Sequence, residues 1–163
     1  MEIELLEAEF DKKEVLRNLW EKSRYEFSQY GGPDLNDLGL FGFKWLDLFW
    51  LENNWNAYFI KVDGKLAGHV LLTDVCDKTF NNKYQIWDIF VVYKHRRKGV
   101  GAYVMGKIFE KHKGKYLITR LIKNTGAVKF WNKIIGQHTN ENYQVIKSPC
   151  DENSECVIFD IDN

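Results

Sequence analysis

The sequence predicts an α/β protein built on a single mixed, mostly antiparallel sheet with helices packed against it. Three features lead to this prediction. Apolar residues recur at helical spacing early in the chain, two alternating strands then flank Asp63-Gly64, and a long apolar strand later runs through a glycine-containing turn into a helix. A length of 163 residues favours one domain, because domains cluster near about 100 to 150 residues. We therefore expect residues 1–163 to form one domain.

The N-terminal third predicts one short strand and two helical segments. Residues 3–5 alternate like a strand. Asp11, with a glutamate three residues later, predicts a helix start, and the apolar face of that helix continues to Phe27 before residues 31–33 (Gly-Gly-Pro) stop it. Residues 38–50 are apolar almost all round, which favours a short buried helix or helix-loop. The many aromatic residues of this region are expected mainly in the core, and some of them could line a ligand pocket.

The middle of the chain predicts a hairpin, a central strand and a helix. Strands over 57–62 and 66–73 flank Asp63-Gly64, a dipeptide typical of tight hairpin turns. The stretch 84–93 is apolar on both faces, as a central strand is. A helix is expected from Gly101 to about Lys113, with its apolar side turned inward.

The last third predicts a strand over 116–122, a helix from Thr125 to Ile134 closed by Gly136, and a final strand at 157–159. The expected order is β-α-α-β-β-β-α-β-α-β, with no internal repeat or linker.

Charge and cysteine content exclude several classes of protein. Lys plus Arg and Asp plus Glu both number 23, so no overall field favours nucleic acid or an anionic membrane as partner. The three cysteines lack zinc-ligand spacing, and we expect no metal. Without a recognisable secretory leader or a long apolar span, the expected location is the cytoplasm, with no membrane association.

A basic, glycine-containing segment between the central strand and the next helix predicts an anion site. Arg96-Arg97-Lys98 is followed by Gly99 and Gly101 just where the helix begins. Unpaired N–H groups at a helix start attract anions, and glycines allow a phosphate group to approach the backbone. A solvated basic turn explains the same residues equally well when they are taken alone. The segment lacks both the Walker pattern and the Gly-x-Gly-x-x-Gly pattern.

Two motifs in the second half of the chain resemble the GNAT superfamily of acetyltransferases. The signature of Gln or Arg, two residues, Gly, one residue, then Gly or Ala is filled by Arg96, Gly99 and Gly101. The superfamily's later Asn-x-x-Ala, aromatic and terminal glycine are matched by Asn124, Ala127, Phe130-Trp131 and Gly136. The resemblance covers residues 57–136 and is nearest in character to a bacterial subgroup of predicted acetyltransferases.

This resemblance implies a GNAT-like acyl-CoA N-acyltransferase fold with acetyl-CoA, or coenzyme A, as the bound cosubstrate. Residues 57–136 would carry the coenzyme motifs, and residues 1–55 would supply the acceptor side. The implied activity is direct transfer of an acetyl group to a primary amine of a small molecule, a peptide or a protein. The alternative is a catalytically weak or inactive CoA-binding regulatory module of the same fold. A homodimer is suggested by fold analogy alone.

The resemblance also implies a set of coenzyme-binding residues. Backbone groups of Val91 and Val92 would bind the acetyl carbonyl and pantetheine amides, and residues 96–102 would hold the pyrophosphate. The full set is Phe90, Val91, Val92, Arg96, Arg97, Lys98, Gly99, Val100, Gly101, Ala102, Asn124 and Trp131. Spacing supports an ordinary helix cap equally well for Asn124, and Trp131 is more often a packing residue.

Asp88 is the preferred catalytic base, because it interrupts an apolar strand where an unpaired carboxylate is costly. A structural carboxylate paired with Lys or Arg is the alternative. The superfamily's usual acid is a Tyr where this chain has Trp131, which has no proton to give. Tyr103, Tyr143 or solvent could therefore protonate the leaving thiolate.

Other candidate residues carry less weight. A covalent route through His69 and Cys76 is disfavoured because the pair has no recognisable spacing. Near the aromatic N-terminal part, Asp34, Asp37 and Asp47 could attract a cationic amine or could simply be solvated.

Overall fold

The computed structural model describes residues 1–74 and 79–162. Its core is a seven-stranded sheet flanked by four helices. The strands are β1 (Ile3–Glu7), β2 (Trp55–Val62), β3 (Lys65–Thr73), β4 (Tyr84–Val91), β5 (Gly114–Leu121), β6 (Tyr143–Lys147) and β7 (Ser154–Ile161). The helices are α1 (Lys13–Phe27), α2 (Leu48–Leu51), α3 (Val100–Lys111) and α4 (Thr125–Thr139). The predicted fold class, a mixed sheet flanked by helices, is therefore confirmed.

Strand order in the sheet is β1-β2-β3-β4-β5-β7-β6, which places β4 in the centre. The pair β4–β5 is parallel, and the other pairs among the described strands are antiparallel. The predicted hairpin between β2 and β3 is confirmed, and both of its turn residues adopt positive φ, 50° at Asp63 and 71° at Gly64. Positive φ at both central residues is the requirement that selects Asp-Gly for such turns.

A β-bulge in β4 reverses which side chains face which layer of helices. Leu71 of β3 lies opposite Asp88, but the next residue, Leu72, lies opposite Ile86, so Trp87 is the extra residue. Before the bulge, Ile86 packs into the core under α3 and α4. After it, Phe90 packs into the second core cluster under α1 and α2, on the face that also receives the Asp88 carboxylate.

Several predicted boundaries were wrong. Asp11 does not cap α1, because the chain enters that helix through a 3-10 turn at Phe10–Lys12. Helix α4 runs past Gly136 and ends at Asn140, which adopts the left-handed conformation with φ of 51°. The predicted helical segment over residues 38–50 is mostly not helical, because the only described helix there is the beginning of the short α2. Strand β6 was not predicted.

Candidate active site

A cleft opens where the two parallel strands separate. β4 and β5 pair over Tyr84–Ile86 and Tyr116–Ile118, and both strands then continue without pairing to each other. The resulting cleft has a volume of about 720 Å³ and is also bounded by α1 and α4. The predicted site residues that line it are Asp88, Phe90, Val91, Arg96, Arg97, Gly101, Asn124 and Trp131. Those that do not are Val92, Lys98, Gly99, Val100 and Ala102.

The end of β4 directs one backbone N–H group toward this cleft. Val92 N–H donates to Ala67 O at 2.8 Å, and in an antiparallel ladder neighbouring residues turn their N–H and C=O groups to opposite sides. Val91 therefore turns its backbone groups toward β5, beyond the point where the two strands pair. Its carbonyl accepts from Arg96 Nε. Because β4 and β5 pair only as far as Ile86 and Ile118, the Val91 N–H has no strand partner on this side within the described residues.

Val92, predicted to share this role, makes different contacts. Its N–H binds β3, and its carbonyl accepts from His95 N at 2.9 Å. Its side chain lines a second cavity on the α1 side of the sheet.

The start of α3 has the backbone conformation of an anion site. Arg97 and Gly99 both adopt left-handed φ, 58° and 81°, immediately before the helix begins at Val100. Within the described part of the chain, no acceptor binds the backbone N–H groups of residues 97–102. Such a turn followed by a helix N-terminus concentrates donors and partial positive charge on one spot. Gly101 lies so close to α4 that a Cβ there would stand 3.0 Å from the Phe130 ring.

Arg96 is held by protein groups. Its Nη2 donates to both carboxylate oxygens of Glu26 on α1 at 2.6 Å, and its Nε donates to the Val91 carbonyl. The guanidinium carbon lies 4.0 Å from the centre of the Tyr93 ring. This first residue of the basic motif thus ties α1 to the end of β4.

Asp88 lies at the inner wall of the cleft with its carboxylate almost fully buried. Oδ2 accepts from Ser23 Oγ at 2.7 Å and from His69 Nε2 at 2.9 Å, and Oδ1 lies 3.1 Å from Arg24 Nη2. The ion pair with Arg24 is the cationic partner that sequence reasoning proposed as the alternative to a catalytic role.

These partners decide the charge state of Asp88. Burial on its own raises the pKa of the Asp88 carboxyl, but the His69 hydrogen bond and charge, the Arg24 charge and the Ser23 hydrogen bond together outweigh it and lower the pKa. Asp88 is therefore ionised near neutral pH. Because an ionised carboxylate only accepts hydrogen bonds, His69 Nε2 carries the proton, and its Nδ1 has no partner among the described groups. Cys76, suggested as a partner for His69, lies outside the described residues.

Helix α4 brings two predicted residues to the opposite wall of the cleft. Asn124 caps the helix, its Oδ1 accepting from Ala127 N at 3.0 Å, which is the capping geometry that the spacing allowed. Trp131 is 5% exposed and belongs to the core cluster beneath α3 and α4. Both side chains border the cleft, although each also has a structural role.

Residues 13–136 match the model of the acetyltransferase (GNAT) family. This match spans most of the chain and includes every cleft residue described above. The chain belongs to the GNAT acetyltransferase family. The comparison with curated proteins found no match.

Solved structures of other acetyltransferases share the fold at low sequence identity. An acetyltransferase of the GNAT family from Streptococcus agalactiae superposes with a TM-score of 0.74 at 18% identity, covering 99% of this chain and 96% of that chain. A GNAT-family acetyltransferase from Staphylococcus aureus superposes with a TM-score of 0.65 at 15% identity, covering 98% of this chain and 99% of that chain. A putative acetyltransferase from Salmonella typhimurium, solved with its cofactor acetyl-CoA, superposes with a TM-score of 0.66 at 10% identity, covering 99% of this chain and 95% of that chain. At these identities the likeness concerns the fold.

The cleft of this GNAT protein is lined by two tyrosines that sequence reasoning missed. Tyr30, just beyond α1, and Tyr93, just beyond β4, both line the cleft. Tyr103 and Tyr143, which were considered as acids from sequence, do not line it. The position of Tyr93 two residues after Val91 was a usable signal, whereas nothing in the sequence indicated that Tyr30 lines the same cleft.

The described residues form neither a metal-binding cluster nor a membrane-spanning helix. Within residues 1–74 and 79–162, no three His, Cys, Asp or Glu side chains lie close enough together to hold a metal ion. None of the described helices is long and apolar enough to cross a membrane.

Proposed function

We propose that this GNAT-family protein transfers the acetyl group of acetyl-CoA directly to a primary amine of a small molecule, peptide or protein. The observation that carries the proposal is the combination of the cleft between β4 and β5 with the donor-rich start of α3. A thioester in the cleft and a pyrophosphate at the helix start would use both features at once. Residues 1–163 would act as one domain, with the coenzyme held mainly by residues 57–136 and the acceptor by residues 1–55.

The proposed reaction assigns each step to a group in the cleft. The neutral amine attacks the thioester carbonyl, and the Val91 N–H stabilises the negative charge that develops on the carbonyl oxygen. Asp88 accepts the amine proton through a bridging water, in the role of base. Tyr93 or Tyr30 donates a proton to the departing thiolate. A thiol pKa near about 8.5 makes that thiolate a tolerable leaving group even when solvent supplies the proton.

Coenzyme recognition gives the first test. Acetyl-CoA and CoA should each raise the melting temperature by about 5 °C or more at 100 times their Kd, because a ligand that binds only the folded state stabilises it. NAD and ATP should produce much smaller shifts, since neither carries the pantetheine arm that fits beside β4. Thermal melts with all four ligands at matched concentration make the comparison. Equal shifts would show that the cleft recognises phosphate groups in general and would contradict the proposal.

An inactive CoA-binding module of the same fold is the second candidate function, favoured by Trp131 standing where GNAT enzymes usually carry Tyr. Release of free CoA thiol when acetyl-CoA is mixed with a panel of amines distinguishes the two. Acetylated amine detected by mass supports the enzyme, whereas CoA binding without acetylated product supports the module.

Replacing Trp131 tests whether its indole takes part in the chemistry. Trp131→Phe should change the single-turnover rate of acetyl transfer by less than about threefold, because an indole has no proton to donate at useful pH. A modest loss of stability is expected, since the side chain is buried in the core. Trp131→Tyr is the matched variant and could accelerate thiolate departure. A collapse of the chemical step in folded, CoA-binding Trp131→Phe would contradict this assignment.

A further inference from the structure

A second cavity lies on the α1 side of the sheet and adjoins the cleft described above. It measures about 780 Å³ and lies between α1, residues 35–41 and the end of β4. Four residues line both spaces, namely Glu26, Gln29, Phe90 and Tyr93. The two spaces therefore meet at the end of β4, and a molecule in the second cavity would lie next to the cleft.

The outer wall of the cavity is a folded loop. Glu21 of α1 accepts from the backbone N–H groups of Phe41 and Gly42, both at 2.8 Å, and Trp20 Nε1 donates to Gly42 O at 2.8 Å. Asn36 Oδ1 accepts from Leu40 N at 3.1 Å within the loop. These bonds hold the loop against α1, so the apolar side chains on it stand exposed in a fixed arrangement.

The exposed side chains around the cavity, from the loop, from α1 and from the end of β4, are large and apolar. Tyr25 is 73% exposed, Tyr93 71%, Leu35 56% and Leu40 40%, and all four line the cavity. Contiguous exposed apolar surface of this kind marks a binding site more often than single exposed residues do. An apolar ligand group that bound here would remove these side chains and itself from water, and this burial of apolar surface would favour binding.

The polar groups around the cavity favour a ligand with a single amine. Glu26 lies at the junction with the cleft, where both of its carboxylate oxygens accept from Arg96 Nη2 and each keeps a lone pair for one further N–H donor. The Glu21 carboxylate is occupied by backbone donors, and Lys22 adds a positive charge to the lining. A second ammonium group would meet apolar walls and Lys22, and it would lose its hydration without gaining a partner.

We propose that the acceptor is a primary amine that carries an aromatic or branched aliphatic group. That apolar group would occupy this second cavity, and the amine would be directed past Glu26 into the cleft. This inference rests on the proposed acetyl transfer and adds the class of acceptor.

The test compares three acceptors with acetyl-CoA and wild-type protein: phenethylamine, putrescine and a lysine-containing peptide. Phenethylamine should give a kcat/KM at least about tenfold above the other two, the scale of one buried apolar group. Leu40→Lys should lower kcat/KM for phenethylamine by about tenfold, mainly through KM, while leaving the Kd of CoA unchanged. Leu38→Lys is the matched control, because Leu38 is 82% exposed in the same loop but does not line the cavity. It should behave as wild type.

Calorimetric titration of phenethylamine into CoA-saturated protein separates the two proposals. The cavity assignment is supported if Leu40→Lys weakens phenethylamine binding and Leu38→Lys does not. This holds even if no acetylated product forms, and in that case only the transfer proposal fails. Faster turnover of putrescine or the peptide supports acetyl transfer and overturns this inference. Equal effects of the two leucine variants also overturn it.

Discussion

Asp88→Asn should lower the single-turnover rate of acetyl transfer by about 100-fold, with nearly unchanged affinity for acetyl-CoA, which is the scale of one general base. The same change should also lower the free energy of unfolding by about 3 kcal/mol or more, because it leaves Arg24 without its buried partner. An asparagine amide would in addition turn an N–H donor toward Ser23, His69 or Arg24, all of which donate to this position. Rates must therefore be measured at a temperature where the variant is folded.

Arg24→Gln separates the catalytic and structural roles of Asp88. Removing the guanidinium breaks the same ion pair and leaves the carboxylate in place, so this variant should lose stability and retain most of its rate. Glu110→Gln, which breaks the exposed pair with Lys107, controls for the loss of one surface charge and should change neither quantity. Wild-type turnover in folded Asp88→Asn would leave Asp88 a structural residue.

The pH dependence of stability offers an independent check on Asp88. Since its pKa is lower in the folded protein, its contribution to stability is fully present above the unfolded value of about 4 and is lost as pH falls through the lower folded value. The difference in unfolding free energy between wild type and Asp88→Asn should therefore narrow below about pH 4. Urea unfolding of both proteins at several pH values measures this difference in unfolding free energy. A gap that stays constant down to pH 2 would contradict the lowered pKa.

Local signals in the sequence predicted the order of the elements that border the proposed coenzyme site. The apolar run over 84–93, the basic residues after it and Gly99 before a helix are adjacent along the chain, so periodicity and turn chemistry suffice to order them. The confirmed hairpin at Asp63-Gly64 has the same origin, because its φ requirement is met by two neighbouring residues. Elements whose signal lies within one short window were therefore predictable.

Long-range pairing explains what sequence reasoning missed. The partners of Asp88 come from α1 and β3, 65 and 19 residues away along the chain for Ser23 and His69, so no local pattern reveals them. Arg96 likewise matched the family motif, and only its pairing with Glu26, 70 residues away, shows where its guanidinium lies. Strand β6 was missed because it forms an edge pair with β7 and keeps Val145 and Ile146 substantially exposed, which weakens its alternating pattern.

Gly68→Ala should disrupt the acetyl site from a position whose side chain would never touch substrate. A Cβ at Gly68 would stand 1.8 Å from the Phe90 carbonyl oxygen and 3.1 Å from Val91 Cα, both backbone atoms of β4. Neither can swing away as a side chain would, so the end of β4 must move by about 1 Å or more. Overpacking of this kind costs about 3 kcal/mol of stability, and a shift of that size at reacting groups costs about 100-fold in rate.

Gly106→Ala in α3 provides the matched control for Gly68→Ala. Its Cβ would meet only His138 Nε2, at an ordinary 3.8 Å, so the protein should be as stable as wild type or more stable by about 0.5 to 1 kcal/mol, because alanine favours helix. Denaturant unfolding and single-turnover acetyl transfer on both variants make the comparison. The displaced Val91 N–H should lower the rate of Gly68→Ala even where the variant is fully folded. A folded Gly68→Ala protein with wild-type rate would mean that the Val91 N–H does not stabilise the developing negative charge.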